Sequence, residues 1–202
     1  MKTHVNFRNT QFIGSFADPN QVPTDDKPLI MIAGKSNVGK SSLLNVLTGQ
    51  KHARVSQTPG KTRLVLLFNV DDCFTLVDLP GYGYARAGKK EQQVFSSRTE
   101  AFVMSRRPDL TLFLLDSRHE PTALDLHMLS YLTEAGLLFL PILTKADKSS
   151  RQAMQQQLNR LREMYRLQDS RLLAVSAEKR TGIRELRDAI AAHFDLQAAV
   201  TD

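Results

Sequence analysis

At 202 residues, with 42% apolar and 24% charged side chains, the chain suits one water-soluble α/β domain with extensions. Lys and Arg outnumber Asp and Glu by 27 to 21, a net charge of +6 that favours a polyanionic partner such as RNA or an anionic surface. The single cysteine, Cys73, excludes an internal disulfide, and neither an apolar run of about 18 residues nor a signal-peptide core in Met1 to Gln11 is present. A reducing, cytoplasmic setting without stable membrane insertion is expected, and nothing calls for an obligate dimer, so a monomer is expected too.

Residues 1–28 carry Phe12 and Phe16 ahead of Pro19, Pro23 and Pro28, which reads as an extension packing its aromatics on the domain. Leu29 to Ala33 is an apolar run with the character of a buried strand, and Leu43, Leu44 and Leu47 follow at helical spacing up to about Gly49. His52 to Arg63 is polar and broken by Pro59-Gly60. Leu64 to Val70 and Cys73 to Val77 flank Asp71-Asp72 and predict a hairpin, with Cys73 as a core residue. A glycine-rich loop runs to Gly88, and Glu91 to Ser105 predicts a helix with Val94, Phe95, Phe102 and Val103 inward.

Strands and helices then alternate. Leu110 to Leu115, Leu137 to Leu143 and Leu172 to Val175 read as strands. The helices between and after them carry stripes at Leu124, Met128, Tyr131 and Leu132, at Met154, Leu158, Leu161 and Tyr165, and at Ile183, Leu186, Ile190 and Phe194. The pattern predicts a mostly parallel six-stranded sheet with one antiparallel strand and helices on both faces. Residues 29–196 would form the domain, and 197–202 a frayed tail.

Candidate chemistry falls at the strand ends, where such a sheet binds ligands. Gly34-Lys35-Ser36-Asn37-Val38-Gly39-Lys40-Ser41 has the spacing G-x-x-x-x-G-K-S between strand and helix, with Ser42 just after it. Backbone N–H groups and the helix start would cradle phosphates. Lys40 would reach the β- and γ-phosphates, and the Ser41 hydroxyl would ligate Mg²⁺. Asp78-Leu79-Pro80-Gly81 gives D-x-x-G: Asp78 would hold Mg²⁺ through water, and the Gly81 N–H would meet the γ-phosphate. Thr144-Lys145-Ala146-Asp147 is similar to the [N/T]-K-x-D element, whose carboxylate accepts from guanine N1–H and the exocyclic amine. Adenine lacks both donors, so a GTP/GDP ligand is expected. Ser176-Ala177-Glu178 resembles the S-A-x loop whose backbone N–H meets guanine O6. Of Thr58 and Thr62, Thr62 is the preferred Mg²⁺ ligand, because Pro59-Gly60 ahead of Lys61-Thr62 supplies a hinge.

Together these elements resemble a Ras-like P-loop GTPase of the translation-factor-related class. The particular strings are similar to those of the bacterial EngB family, also called YihA or YsxC: the phosphate loop through Ser42, Thr58 to Thr62, Asp78 to Ala85, Asp116-Ser117-Arg118-His119 and Thr144 to Lys148. The similarity spans about residues 10 to 195, with Asp78 to Ala85 its most family-specific part. It implies a Mg²⁺-dependent GTPase that assists late assembly of the large ribosomal subunit and is needed for normal cell division and septation. The family often carries a tryptophan in the second helix; this chain has none, and Phe95 is its stand-in.

Where many GTPases place a water-orienting glutamine after D-x-x-G, this chain has Tyr82, which predicts slow intrinsic hydrolysis. The missing stabilisation would come from a partner, or from K⁺ held with the help of Asn37. Arg63 and Arg86 are candidate internal arginines. Arg86, Lys89, Lys90, Arg106 and Arg107 are candidate rRNA contacts. The competing expectations are a nucleotide-stabilised binding module and, against Asp147, an ATP-dependent enzyme on the same loop.

Overall fold

A computed structural model describes residues 3–51, 64–82, 100–165 and 172–199. Its main sheet has the strands β2 (Thr10–Phe16), β3 (Leu29–Gly34), β4 (Val65–Val70), β5 (Phe74–Asp78), β6 (Leu110–Asp116), β7 (Phe139–Thr144) and β8 (Leu173–Ala174). Their order across the sheet is β2-β4-β5-β3-β6-β7-β8. Only β4 runs against the others, pairing antiparallel with both β2 and β5.

The sheet therefore has seven strands where six were expected. The seventh, β2, comes from the segment read as an extension, whose mixed polarity hid the edge-strand pattern: most of its side chains are exposed or half-buried. What anchors that segment is Val5 and Phe7, both buried, with Phe7 packing its ring 5.7 Å from that of Phe74. Phe12 touches Phe68 at 5.4 Å but stays 47% exposed. Likewise Gln197–Ala198, expected within a frayed tail, forms β9 and pairs in parallel with β1 (His4–Val5).

Helices α1 (Lys40–Thr48), α2 (described over 100–106), α3 (Ala123–Glu134), α4 (Arg151–Tyr165) and α5 (Ile183–His193) cover the sheet. The alternation of side chains along β3 shows both faces in use. Ile30 and Ile32 enter one core with Leu43 and Leu47 of α1 and Leu186 and Ile190 of α5. Met31 and Ala33 enter the other with Phe102 and Val103 of α2, Leu129 and Leu132 of α3, and Leu161 of α4. Arg187 locks the first layer, donating from Nη2 to Val46 O and Leu47 O at the end of α1 at 3.1 and 2.7 Å.

Two local expectations shift. Cys73 lies in the β4–β5 turn and is half-buried, not a strand core residue. Asp71 and Asp72 take positive φ there (51° and 53°), a conformation aspartate tolerates, and the Asp71 carboxylate accepts from Asn6 N and Asn9 Nδ2. In α3, Leu124 is 39% exposed and Leu129 is buried in its place. A capping box between Thr122 and Asp125 sets the helix rotation and turns Asp125 inward.

Candidate nucleotide-binding site

The phosphate loop leaves β3, the strand between β5 and β6, so the D-x-x-G and Asp116 segments emerge on either side of it. Gly34 closes β3 opposite Leu114, and Lys35 to Val38 form the turn, with Val38 N–H bonded to Lys35 O at 3.1 Å. Gly39 takes φ 116° as it enters α1, a conformation that a side chain resists. Lys40 and Ser41 begin that helix half-buried, with Ser42 exposed beside them. The Lys40 ammonium lies 3.4 Å from Gly34 O, folded back over the loop where phosphate oxygens would sit.

Asp78 ends β5 with Leu79 buried behind it. Its Oδ1 is buried without a hydrogen-bond partner, and burial raises its pKa from 3.8 to about 6, with Lys40 pulling the other way. A buried carboxylate with an unsatisfied oxygen beside a phosphate loop fits a hydrated cation. Ser41 at the start of α1 fits as its second protein ligand. Because the folded carboxyl keeps its proton to about pH 6, the nucleotide-free chain loses stability as pH rises from about 4 through 6. Asp78→Asn removes that loss. Relative to the parent, its stability will gain between pH 4 and 7, by about 3 kcal/mol at most, and its melting temperature will rise with it. If Asp78 holds Mg²⁺ as the fit suggests, GDP affinity measured with and without Mg²⁺ will differ in the parent and not in this variant.

Two contacts join the T-K-x-D segment to the phosphate loop, and a third ties it to the loop after β8. Thr144 Oγ1, at the end of β7, lies within hydrogen-bond distance of Val38 O and Leu115 O, at 2.6 and 3.0 Å. Lys145 Nζ donates to Asn37 O at 2.7 Å and to Asp116 Oδ2 at 2.8 Å. Ala146 N–H donates to Val175 O at 3.1 Å, tying this loop to the one after β8. The Asp147 carboxylate packs against Ser176, which is fully buried. The Ser176 hydroxyl donates to Asp147 Oδ1 at 2.5 Å and accepts from Lys179 N–H. Oδ2 has no hydrogen-bond partner, though Lys148 Nζ is 3.2 Å away, and the side chain is only 8% exposed. The Ser176 bond holds the Asp147 carboxyl below the usual range against the opposing effect of burial, so it is ionised at neutral pH. Glu178 is exposed and pairs with Lys148 at 3.0 Å; Ala177 sits in the turn between.

The strand-end pattern did not reveal the role of Asp116. Burial pushes its carboxyl up, but bonds from the Arg118 side chain (2.9 and 2.8 Å) and from Lys145 outweigh that and hold it well below the usual range. Ser117 supports the same corner by donating to Lys145 O at 3.0 Å. The available signal was a carboxylate leaving a buried strand beside the phosphate loop. Tyr82 was also incompletely legible: its hydroxyl donates to Asp125 Oδ1 at 2.8 Å, and its carbonyl accepts from Ser36 N–H at 2.7 Å. Thr58, Gly60, Lys61, Thr62, Arg63, Arg86, Lys89, Lys90 and Phe95 lie outside the described residues.

A doubly covered, mostly parallel sheet with a phosphate loop, D-x-x-G and T-K-x-D at adjacent strand ends defines a P-loop GTP-binding protein. The family model described as 50S ribosome-binding GTPase matches residues 29–145. The probable GTP-binding protein EngB of Clostridioides difficile (strain 630) is 38% identical over 194 residues, covering 95% of this chain and 96% of that protein. Its counterpart in Pelotomaculum thermopropionicum is 41% identical over 189 residues, covering 92% and 96%. A crystal structure of a probable GTP-binding protein engB superposes with TM-score 0.70 at 25% identity, covering 82% of this chain and 98% of that one. The chain belongs to the EngB family of GTP-binding proteins. No described helix is long and apolar enough to cross a membrane.

Proposed function

We infer that the chain is a GTP-driven switch that binds the large ribosomal subunit late in its assembly and leaves it after hydrolysis. The observation that carries this reading is where the positive charge lies. Residues 52–63, which follow α1 in the chain, hold Arg54, Lys61 and Arg63 and no acid; residues 83–99, directly after Tyr82, hold Arg86, Lys89, Lys90 and Arg98 against Glu91 alone. The excess of base therefore falls in the two segments that follow α1 and the D-x-x-G turn in the chain, and we propose that bound nucleotide governs their contact with rRNA phosphates. Dependence of cell division and septation on this chain would follow from a shortage of finished subunits. A monomeric chain working in the cytoplasm is enough for this role.

Within the site, Lys40 and the loop from Gly34 to Ser42 bind and orient the phosphates, and Gly81 N–H contacts the third. Ser41, Thr62 and, through water, Asp78 would hold Mg²⁺, which neutralises charge building on the phosphate oxygens when bound. Gly60 and Lys61 set the entry of Thr62. Leu79 and Pro80 seat the D-x-x-G turn. Asp147 reads the base, Lys145 lies along it, and Ser176, Ala177 and Glu178 form the loop facing its O6. Asn37 is exposed at φ 64°, its carbonyl engaged by Lys145, which leaves its side chain facing outward as a candidate K⁺ ligand.

Tyr82 offers no water-orienting group, because its hydroxyl is spent on Asp125. Intrinsic hydrolysis is therefore slow, and the same contact favours a second reading: a nucleotide-stabilised binding module whose hydrolysis is incidental. GTP turnover measured alone, with purified large subunits, and in K⁺ against Na⁺ separates the two. The switch predicts stimulation by subunits on the order of tenfold or more. Turnover unmoved by subunits supports the module.

A further inference from the structure

Tyr82 is tied down at both ends. Its carbonyl takes the Ser36 N–H at 2.7 Å, and its hydroxyl donates to Asp125 Oδ1 at 2.8 Å. Asp125 is itself fixed, since Oδ2 accepts from the Thr122 N–H at 2.8 Å and the Thr122 hydroxyl at 2.7 Å at the start of α3. The ring between these bonds is 7% exposed and belongs to the core holding Leu79, Leu115 and Leu129. Ser36, Thr122 and Asp125 also line a cavity of about 240 Å³ beside the phosphate loop.

The consequence falls on Gly81. A Cβ built there would lie 2.6 Å from Lys40 Nζ and 2.8 Å from Ser36 N and Cα, so the turn is pressed against the groups that would receive a third phosphate. A phosphate in contact with Lys40, Ser36 and Gly81 at once needs each polar contact near about 3 Å, with its own bulk between them. It can enter only if Gly81 withdraws, and Tyr82 O then leaves Ser36 N. A diphosphate makes no such demand.

We propose that Tyr82, anchored on Asp125, is a latch that holds the D-x-x-G turn on the phosphate loop and biases the site toward the diphosphate. The proposal rests on the GTP-binding reading above. Tyr82 thus acts as a positioning residue, and its bond to α3 must strain or slip whenever GTP is bound.

Tyr82→Phe removes one oxygen and leaves the ring and the Thr122–Asp125 box in place. Fluorescent-nucleotide titrations of the full chain will show a non-hydrolysable GTP analogue binding about tenfold tighter, with GDP affinity within about twofold of the parent. Thr122→Val, which removes one of the two bonds holding Asp125 Oδ2, will shift the ratio the same way by a smaller factor, with melting curves run on both variants. An unchanged analogue-to-GDP ratio, a parallel loss of both affinities, or a selective loss of the analogue overturns the latch. If the unaltered chain binds neither nucleotide, the GTP-binding reading itself fails and the latch with it.

Discussion

Asp147→Asn will lower the affinity for GDP and GTP by about 10²- to 10⁴-fold while leaving the melting temperature of the nucleotide-free chain nearly unchanged. The asparagine carbonyl can still accept the Ser176 hydroxyl now held at 2.5 Å, so the loop keeps its shape. The change falls on the second oxygen, which has only the Lys148 ammonium beside it, at 3.2 Å. An amide NH₂ there opposes the N1–H and exocyclic amine of guanine, donor against donor, and a buried mismatch of that kind costs several kcal/mol. The same amide matches a carbonyl at C2, so xanthosine diphosphate will bind the variant better than GDP does. Equal GDP affinity in variant and parent, measured by calorimetry, would remove Asp147 from the base site.

The largest loss of stability is expected at Gly182→Ala. Gly182 holds φ 73° at the start of α5, and a Cβ there would stand 2.2 Å from Ala174 O, a backbone atom of β8. Neither the conformation nor the space can be kept, so β8 or the start of α5 must move, at a cost on the order of 3–5 kcal/mol. The displacement reaches the base site through specific bonds. Thr181 O accepts from Ser176 N–H at 3.0 Å, and the next residue back, Val175, accepts from Ala146 N–H. Guanine affinity should therefore fall by about tenfold or more in whatever fraction stays folded, and the melting temperature should drop. A variant that melts with the parent would show that the approach at Gly182 is not as tight as the geometry has it.

Legibility in the sequence followed periodicity and spacing. The β3 strand and the Ile183–Leu186–Ile190 stripe could be read because each buries a regular face, and the phosphate loop because its glycines and Lys40-Ser41 stand at fixed offsets between strand and helix. The edge strand β2 was hidden because an edge strand needs only one partner and half its side chains can face water. In α3 the stripe held at Met128, Tyr131 and Leu132 but not at Leu124, because a polar group, Asp125, takes the inward position of the first turn through its cap and its bond from Tyr82. Asp116 shows the same limit. Its carboxylate works through Lys145 and Arg118, and a network spanning residues 37 to 145 leaves no short-range pattern.

Co-sedimentation with purified large ribosomal subunits, comparing GDP with a non-hydrolysable GTP analogue, tests the central claim most directly. The switch predicts that the chain pellets with the analogue and largely stays in the supernatant with GDP. Pelleting should weaken steeply with added salt, as contact between the basic segments and rRNA phosphates requires. Asp147→Asn should abolish the analogue-dependent fraction. Equal pelleting in both nucleotide states, or none in either while guanine nucleotide is still bound, would contradict a nucleotide-gated ribosomal switch.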